Sequence, residues 1–251
     1  MTDRTRLRLP HAIRDDSRPV RLGLVAPPVV LVHGWGGSFQ ATWENNGFTE
    51  LLRDAGRTVI GVDLLGHGAA PKPHEPVAYD DLTIRVRDAC PEEPVDAIGF
   101  SLGAITLLQL AVREPQRFNR LVLAGIGASL FEPDDSRTLR IIAALEGHGD
   151  PDDNLARMFV QYATNGSNDL AALTAVMKRP RKPLEPHTLA AVTCPTLVVI
   201  GDRDFAGPGQ PLVDALGDAT LRTLRNVDHF ATPEAFGFID AALAFLDAVP
   251  L

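Results

Sequence analysis

Apolar residues along this chain fall into two patterns that take turns. Short unbroken runs such as Val29-Val30-Leu31-Val32, Leu121-Val122-Leu123-Ala124 and Thr196-Leu197-Val198-Val199-Ile200 read as strands buried on both faces. Between them, apolar residues recur at helical spacing. The patterns predict strands near 28–33, 58–63, 95–99, 120–125, 195–200 and 220–224, and helices near 42–55, 79–89, 102–113, 209–217 and 234–248. Strict alternation of this kind makes a mostly parallel sheet flanked by crossover helices, an α/β fold. Residues 1–25 read as an antiparallel opening hairpin. No internal repeat is visible.

Residues 127–190 break the alternation. They hold three helix-like stretches, 138–145, 153–164 and 169–177, separated by Pro and Gly. The expected organisation is a core of residues 1–126 and 191–251 with a small helical insertion, 127–190, after the sixth strand, the opening hairpin included in the count.

Chemistry enters at Gly99-Phe100-Ser101-Leu102-Gly103. This Gly-x-Ser-x-Gly follows an apolar strand and opens a helix, so Ser101 is expected on a sharp turn with its hydroxyl held out above the sheet. With 21 glycines in 251 residues, about 0.04 such matches arise by chance, so the pattern carries information. A lone serine is a poor nucleophile; it needs a base, an orienting acid and an oxyanion hole. In a strand–elbow–helix site the partners follow as serine, acid, histidine. Asp204, on the loop after the strand at 195–200, is the preferred acid. Asp202 beside Arg203 is expected at the surface, and Asp134 and Asp135 are the fallback acids. Of seven histidines, only His229 follows Asp204, on a loop between a strand and a helix. Backbone N–H groups of Trp35, in the glycine-rich loop His33-Gly34-Trp35-Gly36-Gly37, and of Leu102 are the expected oxyanion donors. His33 is expected to buttress that loop.

These residues resemble the α/β-hydrolase superfamily. His33-Gly34-Trp35-Gly36-Gly37 is similar to its His-Gly loop, and Asp63-Leu64-Leu65-Gly66-His67-Gly68 to its Asp-x-x-Gly-x-Gly turn. The landmarks run from about residue 20 to 247. Ala70-Pro71 departs from the serine common after that turn, a scaffold difference. A serine nucleophile argues against the dehalogenase and epoxide-hydrolase branches. The resemblance implies an α/β-hydrolase fold in which Ser101, Asp204 and His229 are catalytic and the insertion is a cap over the serine. Phe100, Phe131, Met158, Phe159, Tyr162 and Phe205, with Trp35, are the candidates to line the pocket; packing of cap against core is the competing role for each.

Composition fits such an enzyme. The chain can bury one large core plus an insertion. A net charge of −8 argues against nucleic acid and anionic membrane as partners and leaves a small-molecule substrate. The basic run Lys178-Arg179-Pro180-Arg181-Lys182 reads as a solvated loop, with a binding site for an acidic substrate group as the alternative. Two distant cysteines, Cys90 and Cys194, are expected reduced. With no secretory signal or membrane-length run, a cytoplasmic protein is expected. No cofactor or metal is implied, and the oligomeric state is not legible. Three functions are compatible with these residues. The preferred one is a serine hydrolase of a small or medium carboxylic ester, thioester or lactone. The second is a carbon–carbon hydrolase or cofactor-free haloperoxidase-like perhydrolase, and the third is a non-enzymatic ligand binder.

Overall fold

The computed structural model describes residues 26–180 and 184–250. The hairpin expected over 1–25 lies outside the described residues, as do Arg181 and Lys182 of the basic run. Six strands, β1 (Val29–Val32), β2 (Val59–Val62), β3 (Val95–Phe100), β4 (Phe118–Ala124), β5 (Thr196–Gly201) and β6 (Ala219–Leu224), form one sheet in the order β2-β1-β3-β4-β5-β6. Every pairing is parallel. The result is the parallel α/β sheet that the alternation of strands and helices predicts.

The unbroken apolar strands are explained by what covers them. Successive side chains on a strand point to opposite faces. Val30 and Val32 of β1 join one core layer with Leu107 and Leu108 of α3 (Leu102–Arg113) and Val86 of α2 (Thr83–Ala89). Val29 and Leu31 join the other, with Phe48 and Leu52 of α1 (Phe48–Asp54) and Phe238 and Leu243 of α8 (Phe236–Phe245). Each fully buried side chain of this size contributes about 1.5–3 kcal/mol. With both faces covered, no polar position is left in the middle of the strand.

Outside the insertion, four helices are shorter than the pattern predicts, those expected over 42–55, 79–89, 209–217 and 234–248, and for the first two the reason is local. The helix expected over 42–55 divides into a π-helical turn, Gln40–Glu44, and α1, because Gly47 between them takes a left-handed φ of 79°. The helix expected over 79–89 starts at Thr83, whose N–H is capped by Asp81 Oδ1 at 3.0 Å. A separate 3₁₀ turn, Pro76–Tyr79, precedes it.

The insertion follows β4, the fourth described strand, and carries α4 (Asp135–Leu145), α5 (Asn154–Ala163) and α6 (Leu170–Lys178). α7 (Gln210–Ala215) then follows β5. Each helix of the insertion opens on an aspartate cap: Asp134 accepts from Arg137 N–H at 2.9 Å, Asp153 from Ala156 N–H at 3.0 Å and Asp169 from Ala172 N–H at 3.0 Å. The Asp134 cap starts α4 at residue 135 rather than 138. Side chains tie the insertion to the β1 loop. Trp35 Nε1 donates to Leu173 O at 3.1 Å, and Asn168 Nδ2 donates to Gly36 O at 2.8 Å.

Candidate active site

Ser101 occupies the turn between β3 and α3 with φ 50° and ψ −112°, a conformation rare for a residue with a side chain. Holding it costs about 1–3 kcal/mol, so the surroundings must over-determine it. They do: Ser101 N–H donates to Ala124 O of β4 at 2.8 Å, and Ser101 O accepts from Ile105 N–H at 3.0 Å to begin α3. The flanking glycines are a matter of space. A Cβ on Gly103 would stand 2.4 Å from Val32 O, and one on Gly99 would stand 2.6 Å from Ala104 N. Both obstacles are backbone and cannot step aside. Gly103→Ala is therefore expected to destabilise the protein by about 1–3 kcal/mol, seen in calorimetry as a melting temperature lower by several degrees. A melting temperature within one degree of the parent would contradict this packing.

His229 projects from the loop after β6. Its Nε2 lies 2.9 Å from Ser101 Oγ, and its Nδ1 lies 2.9 Å from both Oδ1 and Oδ2 of Asp204. An ionised carboxylate can only accept, so Nδ1 carries the proton and Nε2 is left to accept from the Ser101 hydroxyl. Asp204 is buried, and its Oδ1 also accepts from Ala206 N–H at 2.8 Å. The His229 ring is clamped by aromatic neighbours, with the Phe205 centroid at 4.2 Å, Phe100 at 5.0 Å and Phe230 edge-on at 5.5 Å. The structure thus brings Ser101, His229 and Asp204 into one line from three separate loops. The competing acids are elsewhere: Asp202 is exposed, Asp134 caps α4, and Asp135 is exposed in the first turn of that helix.

Leu102 is the first residue of α3, where an N–H has no intrahelical acceptor. Among the described residues neither its N–H nor that of Trp35 donates to another protein group. The loop carrying Trp35 is held from beneath by His33. This side chain is fully buried, with Nδ1 2.7 Å from Gly34 O and Nε2 accepting from Leu64 N–H at 3.1 Å. Burial lowers its pKa, and Nε2 serves Leu64 rather than acting as a charged partner of Asp63 at 3.7 Å. His67 packs on it with ring centroids 5.0 Å apart. Burial, then the neighbouring His33, pushes the His67 pKa down to about 3, so this pair is a neutral buttress.

A cavity of about 480 Å³ opens over Ser101 and His229, and Trp35, Leu102, Phe159 and Phe205 line it. Four other pocket candidates lie outside its lining, each for a geometric reason. Phe100 alternates to the opposite face of the sheet, packing with Ile98 and Ala124. Phe131 ends a turn in which Leu130, one residue earlier, faces the cavity. Met158 and Tyr162 share the other side of α5, where with Phe230 they line a separate hollow of about 500 Å³. Helical spacing turns Phe159 about 100° away from Met158, inward against Trp35 at 5.3 Å. Arg137 was not anticipated from the sequence. Its Nη1 donates to Phe205 O at 3.0 Å and its guanidinium stands 5.3 Å over the Phe205 ring at the cavity wall. The only local signal is its place three residues after a helix cap, which says nothing of Phe205.

Known proteins resemble this chain along most of its length. The profile of the α/β-hydrolase fold family matches residues 27–142. A 2-hydroxy-6-oxononadienedioate/2-hydroxy-6-oxononatrienedioate hydrolase of Paraburkholderia xenovorans (strain LB400) is 31% identical over 246 residues, covering 83% of this chain and 82% of that protein. A pimeloyl-[acyl-carrier protein] methyl ester esterase of Neisseria meningitidis is 27% identical over 231 residues, covering 80% and 85%. The crystal structure of a serine hydrolase involved in carbazole degradation (CarC) is 28% identical, with a TM-score of 0.66, covering 88% of this chain and 91% of that one.

Proposed function

The chain belongs to the α/β-hydrolase family, and we propose that it is a serine hydrolase cleaving a carboxylic ester, thioester or lactone through an acyl-enzyme on Ser101. The observation that carries this reading is the continuous contact from Ser101 Oγ through His229 to buried Asp204, each step 2.9 Å. In the first step Ser101 Oγ forms a bond to the substrate carbonyl carbon while its proton passes to His229 Nε2. The imidazolium so formed is stabilised by Asp204, which stays ionised. The carbonyl oxygen, now an anion, takes the Trp35 and Leu102 N–H groups, which have no other described acceptor. His229 then gives its proton to the leaving oxygen or sulfur as that bond breaks. Water repeats the sequence on the acyl-enzyme, with His229 as base, and frees the acid.

In this reading residues 127–190 act as a cap that excludes water and shapes the pocket, with Phe159 as its inward contact. Cys90 and Cys194 are free thiols, which supports a reducing compartment such as the cytoplasm. Among the described residues no helix is long and apolar enough to cross a membrane.

Cleavage of a carbon–carbon bond next to a ketone is the second reading. It is supported by the dienedioate hydrolase at 31% identity and uses the same oxyanion donors. A panel of p-nitrophenyl esters, thioesters, lactones and vinylogous β-diketones decides between them. The expected result is a burst of p-nitrophenol followed by steady turnover. Turnover of the diketones alone would favour the second reading, and turnover of none would refute both.

A further inference from the structure

The cavity continues well past the serine, along the outer side of α3. From Ser101 through Ala111, only Ser101, Ile105 and Gln109 are partly accessible; every other residue is buried, and the next accessible position is Val112. These four residues all line the cavity. Their spacing of four, four and three places them on one stripe. At 1.5 Å per residue the stripe is about 16 Å long. A helix stripe facing bulk water is ordinarily polar. Beyond Ser101 this one presents Ile105 and Val112 with a single polar residue, Gln109, between them, and Leu82, Ile141 and Met177 line the same cavity. These apolar side chains form an inner wall suited to an apolar occupant, with Gln109 and the charged residues Asp81, Arg113, Asp134 and Arg137 also in the lining.

The far end is polar but already satisfied. Arg113 donates through Nη1 to Asp81 Oδ2 at 2.7 Å, through Nη2 to Asp81 Oδ1 at 3.1 Å and to Thr83 Oγ1 at 2.6 Å. Its Nε donates to Gln109 O at 3.2 Å. Both Arg113 and Asp81 reach solvent, at 49% and 33% exposure. This end is an exit closed by an ion pair, with its cation committed to its own partner.

We propose that the channel along α3 holds the acyl chain of the substrate: a linear aliphatic chain with an uncharged tail, its carbonyl at Ser101 and its end near Val112. Three bonds of an extended chain advance about 3.8 Å, so the stripe accommodates about a dozen carbons. The proposal rests on the serine-hydrolase reading for the chemistry at its head. The channel itself requires only that an apolar chain gains about fourfold in binding for each methylene it buries.

Binding to Ser101→Ala, measured by calorimetry with hexanoate and dodecanoate, tests the channel without turnover. Dodecanoate is expected to bind at least a hundredfold more tightly. Val112→Trp in the same background fills the far part and is expected to lower the dodecanoate-to-hexanoate ratio at least tenfold. Leu139→Trp, on the solvent side of α4 at 66% exposure, leaves the ratio as it was. Should Val112→Trp fail to fold, Gln109→Trp makes the same test. Affinities for the two acids within threefold, or equal effects of Val112→Trp and Leu139→Trp, would overturn the channel. Chain-length-dependent binding with no turnover of any ester by the parent protein would support the channel and overturn the hydrolase reading. Turnover of short esters with no length dependence would do the reverse.

Discussion

Ser101→Ala is expected to lower kcat for a short p-nitrophenyl ester by about 10⁴- to 10⁶-fold. The change deletes the attacking oxygen and almost no volume. It also removes the acceptor–donor contact at 2.9 Å to His229 Nε2, leaving the imidazole without a nucleophile to activate. The turn itself survives, because its shape comes from Ser101 N–H on Ala124 O and from the crowded glycines at 99 and 103, none of which uses the hydroxyl. Melting temperature is therefore expected to stay near that of the parent while turnover collapses. Steady-state turnover within tenfold of the parent, in a preparation free of contaminating esterase, would remove Ser101 from the mechanism.

Asp204→Asn carries the second large effect, a fall in kcat of about 10⁴-fold. The amide has nearly the carboxylate's shape, so Ala206 N–H keeps an acceptor and the loop keeps its form. What changes is the proton at His229. An amide N–H turned toward Nδ1 forces the ring's own proton onto Nε2, where it points at Ser101 Oγ and cannot accept the serine proton. Even in the correct tautomer, the imidazolium loses the adjacent negative charge. Asp202→Asn serves as the comparison: Asp202 is exposed and the Nδ1 of His229 is taken by Asp204, so its kcat is expected to stay within about threefold. Equal losses in the two variants, or a larger loss at position 202, would displace Asp204 from its proposed role.

The elements most legible in the sequence were those whose neighbours in space are also neighbours in the chain. Leu102–Arg113 is recognisable from its own apolar spacing. The elbow is recognisable because two glycines and a serine at fixed spacing meet a steric demand made within five residues. The three helices of the insertion were placed for the same reason, and their starts shifted only where an aspartate cap took the boundary. Boundaries set by one residue's backbone freedom were less legible, as at Gly47, which divided a single expected helix.

Pocket walls were the least legible feature. Phe100, Phe131, Met158 and Tyr162 are as aromatic or apolar as Phe159 and Phe205, and composition does not distinguish them. What separates them is direction: alternation along β3 sends Phe100 to the far face, and about 100° of helical turn separates Met158 from Phe159. Arg137 joins the cavity only because α4 packs beside the loop that follows β5.

By itself the sequence determined the layering of the sheet and the position of the elbow, since these follow from local spacing and hydrophobic period, and it singled out Ser101, Asp204 and His229 as candidates only through the chain order that such an elbow implies. Tertiary structure alone decided how the acid already preferred in the sequence meets its partner: Asp204 Oδ1 lies 2.9 Å from His229 Nδ1 while Asp202 stays exposed. It also decided that Ile105, Gln109 and Val112 line a cavity and not a solvent surface. Both outcomes depend on where segments distant in the chain come to rest, and a linear pattern records a side chain's chemistry but not what is packed opposite it.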